Sequence, residues 1–117
     1  MKTFRFFDFL VYAQAKDFYK KILIISLRVK DYSFRDQIKR AALSVILNIA
    51  EGSAKKSDKD FAKFLEISIA SANEVMACLD IMHDLKRLSK DEFVCFSKEL
   101  ESIVKQLGGF VKNLRQS

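Results

Sequence analysis

Apolar residues recur by threes and fours along nearly the whole chain, the spacing of amphipathic helices and not of strands. In the first stretch Phe4, Phe7, Val11, Ala15, Phe18, Ile22, Ile25 and Val29 make one seam, which predicts a helix over about 8–29. Its other side carries Lys16, Lys20, Lys21, Arg28 and Lys30 against only Asp17 and Asp31, so the outer face is basic. Further helices are expected over about 34–54, 58–87 and 90–115. The third has one seam of Phe61, Leu65, Ser68, Ala72, Val75, Leu79 and Met82, and beside it a second row of Phe64, Ile67, Ser71, Glu74, Cys78, Ile81 and Leu85. The fourth repeats Phe93, Phe96, Leu100, Ile103, Leu107, Phe110 and Leu114.

The second helix is the segment around which the others are organised. Ile38, Ala42, Val45 and Ile49 form one stripe, while Leu43, Ile46, Leu47 and Ala50 lie on the opposite side. A helix apolar all round is buried on more than one face. The surplus on helices two and three is more than a monomer usually exposes, which predicts self-association through Leu43, Ile46, Leu47, Ala50, Phe64 and Ile67. Ser68, Ala70, Ser71 and Ala72 are small and let a neighbouring helix come close.

Serine followed three residues later by an acid marks three helix starts: Ser33 with Asp36, Ser57 with Asp60, and Ser89 with Glu92. The polar run 53–57 is short enough to make helices two and three antiparallel neighbours. Gly108 and Gly109 each cost about 1 kcal/mol in a helix interior, so a weakened or kinked last turn is expected. With no proline and only three glycines, the turn punctuation of a β protein is missing, and the fold class is all-α. At 117 residues one domain spanning 1–117 is expected.

Charge adds a partner class to this picture. Residues 1–56 carry 12 basic and 5 acidic side chains, whereas 57–117 carry 9 and 10. A polyanion such as a nucleic-acid backbone suits the basic half, against the plainer reading of a solvated lysine-rich face. The candidate contacts are Lys16, Lys20, Lys21, Arg28, Lys30, Arg35, Lys39, Lys55 and Lys56. No aromatic residues interleave with these lysines in a clear pattern, so weakly sequence-selective phosphate binding is expected.

Catalytic chemistry finds little support. Asp80-x-x-His83 has the spacing of a bundle metal ligand pair, but a di-metal site needs a second such motif and the chain has one histidine. His83 has no evident nucleophile partner, no glycine-rich phosphate loop is present, and no metal or other cofactor is expected. Cys78 and Cys95 lack metal-site spacing and read as reduced core residues of a cytoplasmic protein. The N-terminus imitates a secretory leader down to Ala13-Gln-Ala15, but Asp8 breaks the apolar run and the stripe continues into Phe18 and Ile22. No apolar run is long enough to span a membrane. The polar residues Arg40, Asn48, Glu51, Gly52 and Glu74 read as a structural motif: a hairpin turning near residue 55 places Arg40 against Glu74, predicting an ion pair, with Asn48 and Glu51 satisfying backbone groups at the turn.

The run Gln37-Ile-Lys-Arg-Ala-Ala-Leu-Ser-Val-Ile-Leu-Asn-Ile-Ala-Glu-Gly52, followed by Ser57, Asp60-Phe61, Phe64-Leu65 and Ser71-x-x-Glu74, resembles the four-helix-bundle proteins encoded in intervening sequences of 23S ribosomal RNA genes. The family usually has proline and a small residue where Ile46 and Leu47 stand, which predicts a straighter helix with a more apolar outer face. Tyr12-Ala-Gln-Ala15 keeps the family's pattern in helix one. The resemblance implies an antiparallel up-down-up-down four-helix bundle assembling as a homo-oligomer, a pentameric ring, as in relatives that include the accessory protein of diversity-generating retroelements. That relative engages nucleic acid and a reverse transcriptase through a basic surface. The expectation is therefore a non-enzymatic accessory factor that binds RNA or DNA. A pure protein-assembly or adaptor module is the alternative.

Overall fold

The computed structural model describes residues 3–117, which hold four α-helices and no strand. A 3₁₀ turn, Arg5–Asp8, leads into α1 (Leu10–Ser26), followed by α2 (Tyr32–Ser53), α3 (Asp58–Asp84) and α4 (Lys90–Gln116). Each helix packs on its neighbour in the chain and α1 closes back on α4, an up-down-up-down bundle 45 × 22 × 20 Å across its Cα atoms. The α2–α3 seam is the most extensive and the α1–α4 seam the least.

Helix starts follow side-chain caps. Asp31, not Ser33, caps α2: its carboxylate accepts from Phe34 N–H at 3.2 Å, so the helix begins earlier than the Ser33 signal placed it. Aspartate is at least as good an N-cap as serine, and the first competent oxygen along the chain took the role. Ser57 caps α3 through Asp60 N–H at 3.1 Å. Ser89 makes a reciprocal box on α4, accepting from Glu92 N–H at 3.1 Å while Glu92 accepts from Ser89 N–H at 3.0 Å. At its other end α3 closes with Arg87 N–H on Met82 O (2.8 Å) and Lys86 N–H on His83 O (3.0 Å). Lys86 adopts the left-handed conformation this motif needs, φ 61°, a position usually given to glycine.

Helix α1 is shorter than its seam at both ends. Phe4 and Phe7 lie before it and half-exposed, whereas Val29 is buried but sits in the connection to α2. Apolar periodicity reports burial, and burial continues after the helical hydrogen bonds stop. The seams of α3 and α4 are followed closely, with Leu65, Val75, Leu79, Met82, Ile103 and Leu107 all fully buried. Helix α4 runs as one 27-residue helix through Gly108 and Gly109, so the two weak positions do not end it.

The closeness of α2 and α3 has specific causes. A Cβ on Gly52 would lie 2.8 Å from Phe64 Cβ and 2.9 Å from Phe61 Cδ1, so only glycine lets α3 start against the last turn of α2. Further along, the buried Ser68 hydroxyl donates to Val45 O at 2.9 Å, and the Ser44 and Ser71 hydroxyls bond to each other at 2.8 Å. Small side chains bring the two backbones together and their hydroxyls remain satisfied.

Candidate nucleic-acid interface and self-association face

The nine predicted basic residues do not form one surface. Lys16, Lys20 and Lys30 are exposed and make no ion pair among the described residues. Two others are drawn onto α4, Lys21 from α1 and Arg28 from the connection that follows it. Lys21 pairs with Glu99 at 2.7 Å, a hydrogen bond that pushes its pKa upward. Arg28 makes a two-pronged contact with Glu92, both arms at 2.9 Å, and also donates to Arg87 O at 3.1 Å. The Arg28 guanidinium, aided by the Ser89 N–H, lowers Glu92 from the ordinary 4.5 to about 2 and raises the arginine in turn. Arg35 is half-buried with its guanidinium 5.7 Å from the Tyr32 ring centre, and Lys39 is half-buried on the same helix. Lys55 lies 4.8 Å over Phe64, and Lys56 lines a groove with Asp58, Lys59 and Arg115 at the opposite end of the bundle from Lys30.

The apolar face is more coherent. Leu43 (37% exposed), Leu47 (47%) and Ile67 (48%) stand out on α2 and α3, continued by Ile81 and Leu85, with Ala50 and Phe64 half-buried between. Ile46, at 5%, is a correction to the predicted set, because it packs into the protein's own core. The rotation of about 100° per residue along α2 puts Leu47 outward and Ile46 inward.

The polar motif is assembled differently from the expectation. Arg40 does not pair with Glu74: its Nε donates to Asp36 at 2.7 Å, one turn back on α2, while Glu74 accepts from Gln37. Arg40 is exposed, so an in-helix partner satisfies it without crossing the seam. Asn48 donates to Ser44 O at 2.8 Å and Ser44 Oγ at 3.0 Å, so it serves the middle of the seam and not the turn. Glu51 is exposed, and its carbonyl, not its side chain, accepts from Ala54 N–H at the turn. Gly52 holds its predicted structural place for the steric reason already given.

Cys95 is exposed and so is not a core residue, while burial raises the Cys78 thiol. His83 stacks on Phe93 at 5.0 Å between ring centres. Among the described residues no group of three or more His, Cys, Asp and Glu is placed to hold a metal ion, and no helix is long and apolar enough to cross a membrane.

An aromatic cluster at the start of α1 has no counterpart in the helical pattern. Phe4 and Phe7, which the periodicity places on the seam, gather with Phe6 and Tyr12 on the surface, while Phe9 turns inward against Phe61 and Phe110. The signal was available: phenylalanines at 4, 6, 7 and 9 cannot all occupy one helical face. Arg5 was also missed. Its Nε donates to Ser53 O at 2.8 Å and its guanidinium lies 5.0 Å from the Phe61 ring centre, capping the C-terminal end of α2.

These features define an antiparallel four-helix bundle with one surplus apolar face and a basic first helix. The chain belongs to the 23S rRNA-intervening sequence protein family, whose model matches residues 8–109. It is similar in fold to a protein of unknown function from the S23 ribosomal protein family of Bacteroides thetaiotaomicron VPI-5482. That match has a TM-score of 0.83 at 22% identity and covers 88% of this chain and 99% of that one. No curated protein sequence matches the chain.

Proposed function

We propose that this protein is a cytoplasmic, non-enzymatic, self-assembling bundle that binds the phosphates of RNA or DNA through α1. The observation that carries the reading is the row Lys16 and Lys20 with Lys30 beyond it: ammonium groups without carboxylate partners, in the half of the chain with 12 basic and 5 acidic residues. Lys21 and Arg28 contribute less, since Glu99 and Glu92 already neutralise them. Assembly follows from the apolar face of α2 and α3, and the family resemblance points to a pentamer as its form.

A binding titration against structured RNA at increasing salt tests the reading. Log affinity should fall linearly with log salt, and Lys16→Glu with Lys20→Glu should remove most of the binding and flatten the slope. A flat salt dependence, or unchanged affinity in the charge-reversal variant, contradicts it. The half-exposed Leu43, Leu47 and Ile67 favour a second reading, a protein-assembly or adaptor module for a partner such as a reverse transcriptase. Under that reading charge reversal on α1 leaves partner capture intact.

A further inference from the structure

We infer that the aromatic cluster preceding α1 is a stacking platform for the unpaired bases of a single-stranded nucleic acid, which names the substrate class for the phosphate-binding reading and rests on it. Four rings form a connected group: Phe6 lies 4.5 Å from Phe7 and 4.8 Å from Tyr12, Phe7 lies 6.1 Å from Tyr12 at 88°, and Phe4 meets Phe6 edge-on at 6.2 Å. Phe7 lies against Phe6 at a tilt of 36°, while the remaining contacts in the group are steep, 64° to 88°, and Phe4 and Phe7 stay 51% and 54% exposed within a group of apolar neighbours.

The platform is held in place. Arg5, inside the same turn, is fixed to Ser53 O and lies over Phe61, and Phe9 anchors the segment from the other side between Phe61 and Phe110. A preorganised aromatic surface loses little entropy when a flat ligand settles on it.

Charge selects the occupant. The Lys16 ammonium sits 4.8 Å from the Tyr12 ring centre, with Lys20 one turn further along α1, and Lys55 and Lys56 follow closely on the Ser53 that Arg5 holds. Asp8 is the one acidic residue between positions 3 and 16. The exposed rings of Phe4 and Phe7 beside unpaired ammonium groups match a chain that offers bases and phosphates in alternation, and bases already stacked within a duplex cannot present a free face.

The test uses the full chain, a fluorescent short oligothymidine, and a duplex of the same length at the same salt. The single strand should bind about tenfold or more tightly than the duplex, and Phe4→Ala with Phe7→Ala should weaken single-strand binding about ten- to a hundredfold while leaving the salt slope and the solution mass unchanged. Phe4→Trp with Phe7→Trp keeps the π faces; it should retain affinity and show tryptophan fluorescence quenched by the single strand, and it serves if the alanine variant does not fold. Equal binding of single strand and duplex with a lysine-dependent salt slope overturns the platform and leaves the phosphate reading standing. Failure of both oligonucleotides to bind removes both. An alanine variant with unchanged affinity, one that weakens both probes equally, one that dissociates the assembly, or a tryptophan variant without quenching each overturns the platform, the dissociating variant because it marks the rings as a subunit contact.

Discussion

The α2–α3 and α1–α4 seams are built from opposite materials. Across the first, Gly52, Ser68, Ser44 and Ser71 bring the backbones close, and the polar atoms between them are matched within the seam. Across the second, long side chains bridge a wider gap, Lys21 to Glu99 and Gln14 to Ser102 at 3.2 Å, and Arg28, just past the end of α1, reaches Glu92. Close approach through small residues multiplies van der Waals contact, whereas partly exposed ion pairs contribute modestly and are screened by salt. The consequence is a division of labour. The α2–α3 hairpin is the rigid spine, with Leu43, Leu47 and Ile67 left partly exposed on its outer side. Helix α1 is held chiefly by its apolar seam and its polar edge contributes little, so α1 is where local opening should begin.

Substitutions at the glycines separate the two regions most sharply. Gly52→Ala should lower stability by about 1–3 kcal/mol in urea unfolding, because its methyl meets Phe64 Cβ and Phe61 and the helix-propensity gain offsets only part of that. The same change at Gly108 or Gly109 has the opposite sign: a Cβ there meets nothing within 4 Å, so each should gain about 1 kcal/mol by the same measurement. Loss of stability at all three positions would show that the α2–α3 seam is no tighter than the exposed end of α4.

Smaller effects belong to the α1–α4 seam. Removing the Lys21–Glu99 pair, measured by a double-mutant cycle with Lys21→Met and Glu99→Gln, should yield less than about 1 kcal/mol and shrink further in high salt. Glu92 gives the pH signature. Its folded value, about 2, is depressed from 4.5, so its contribution is complete above about 4.5 and is lost as pH falls toward 2. The melting-temperature gap between the wild-type protein and Glu92→Gln should therefore be widest at neutral pH and close across that acidic window.

The four helices and the seams of α3 and α4 were legible from periodicity, because burial and helical spacing coincide there, whereas the steric need for glycine at 52 was not. What was not legible depended on choices between equivalent partners. Arg40 had two carboxylates within a plausible register, and the in-helix Asp36 needed no crossing of the seam. Asp31 and Ser33 were both competent caps, and the earlier one prevailed. Cys95 and Ile46 each lie one step of helical rotation from the position assumed, enough to exchange surface and core. The candidate interface was legible as a charge excess but not as a surface, since periodicity carries no information about which lysines find a carboxylate on another helix. The aromatic cluster escaped because the 3₁₀ turn changes the direction of the chain just where a helical wheel assumes continuity.

The proposed assembly rests on the apolar surface that Leu43, Leu47 and Ile67 leave exposed on α2 and α3. Sedimentation equilibrium at micromolar concentration tests this most directly. The expected result is a particle at a multiple of the 13.5 kDa chain mass, shifted toward the single chain by Leu43→Glu with Leu47→Glu. A stable 13.5 kDa particle for the unmodified protein would contradict it.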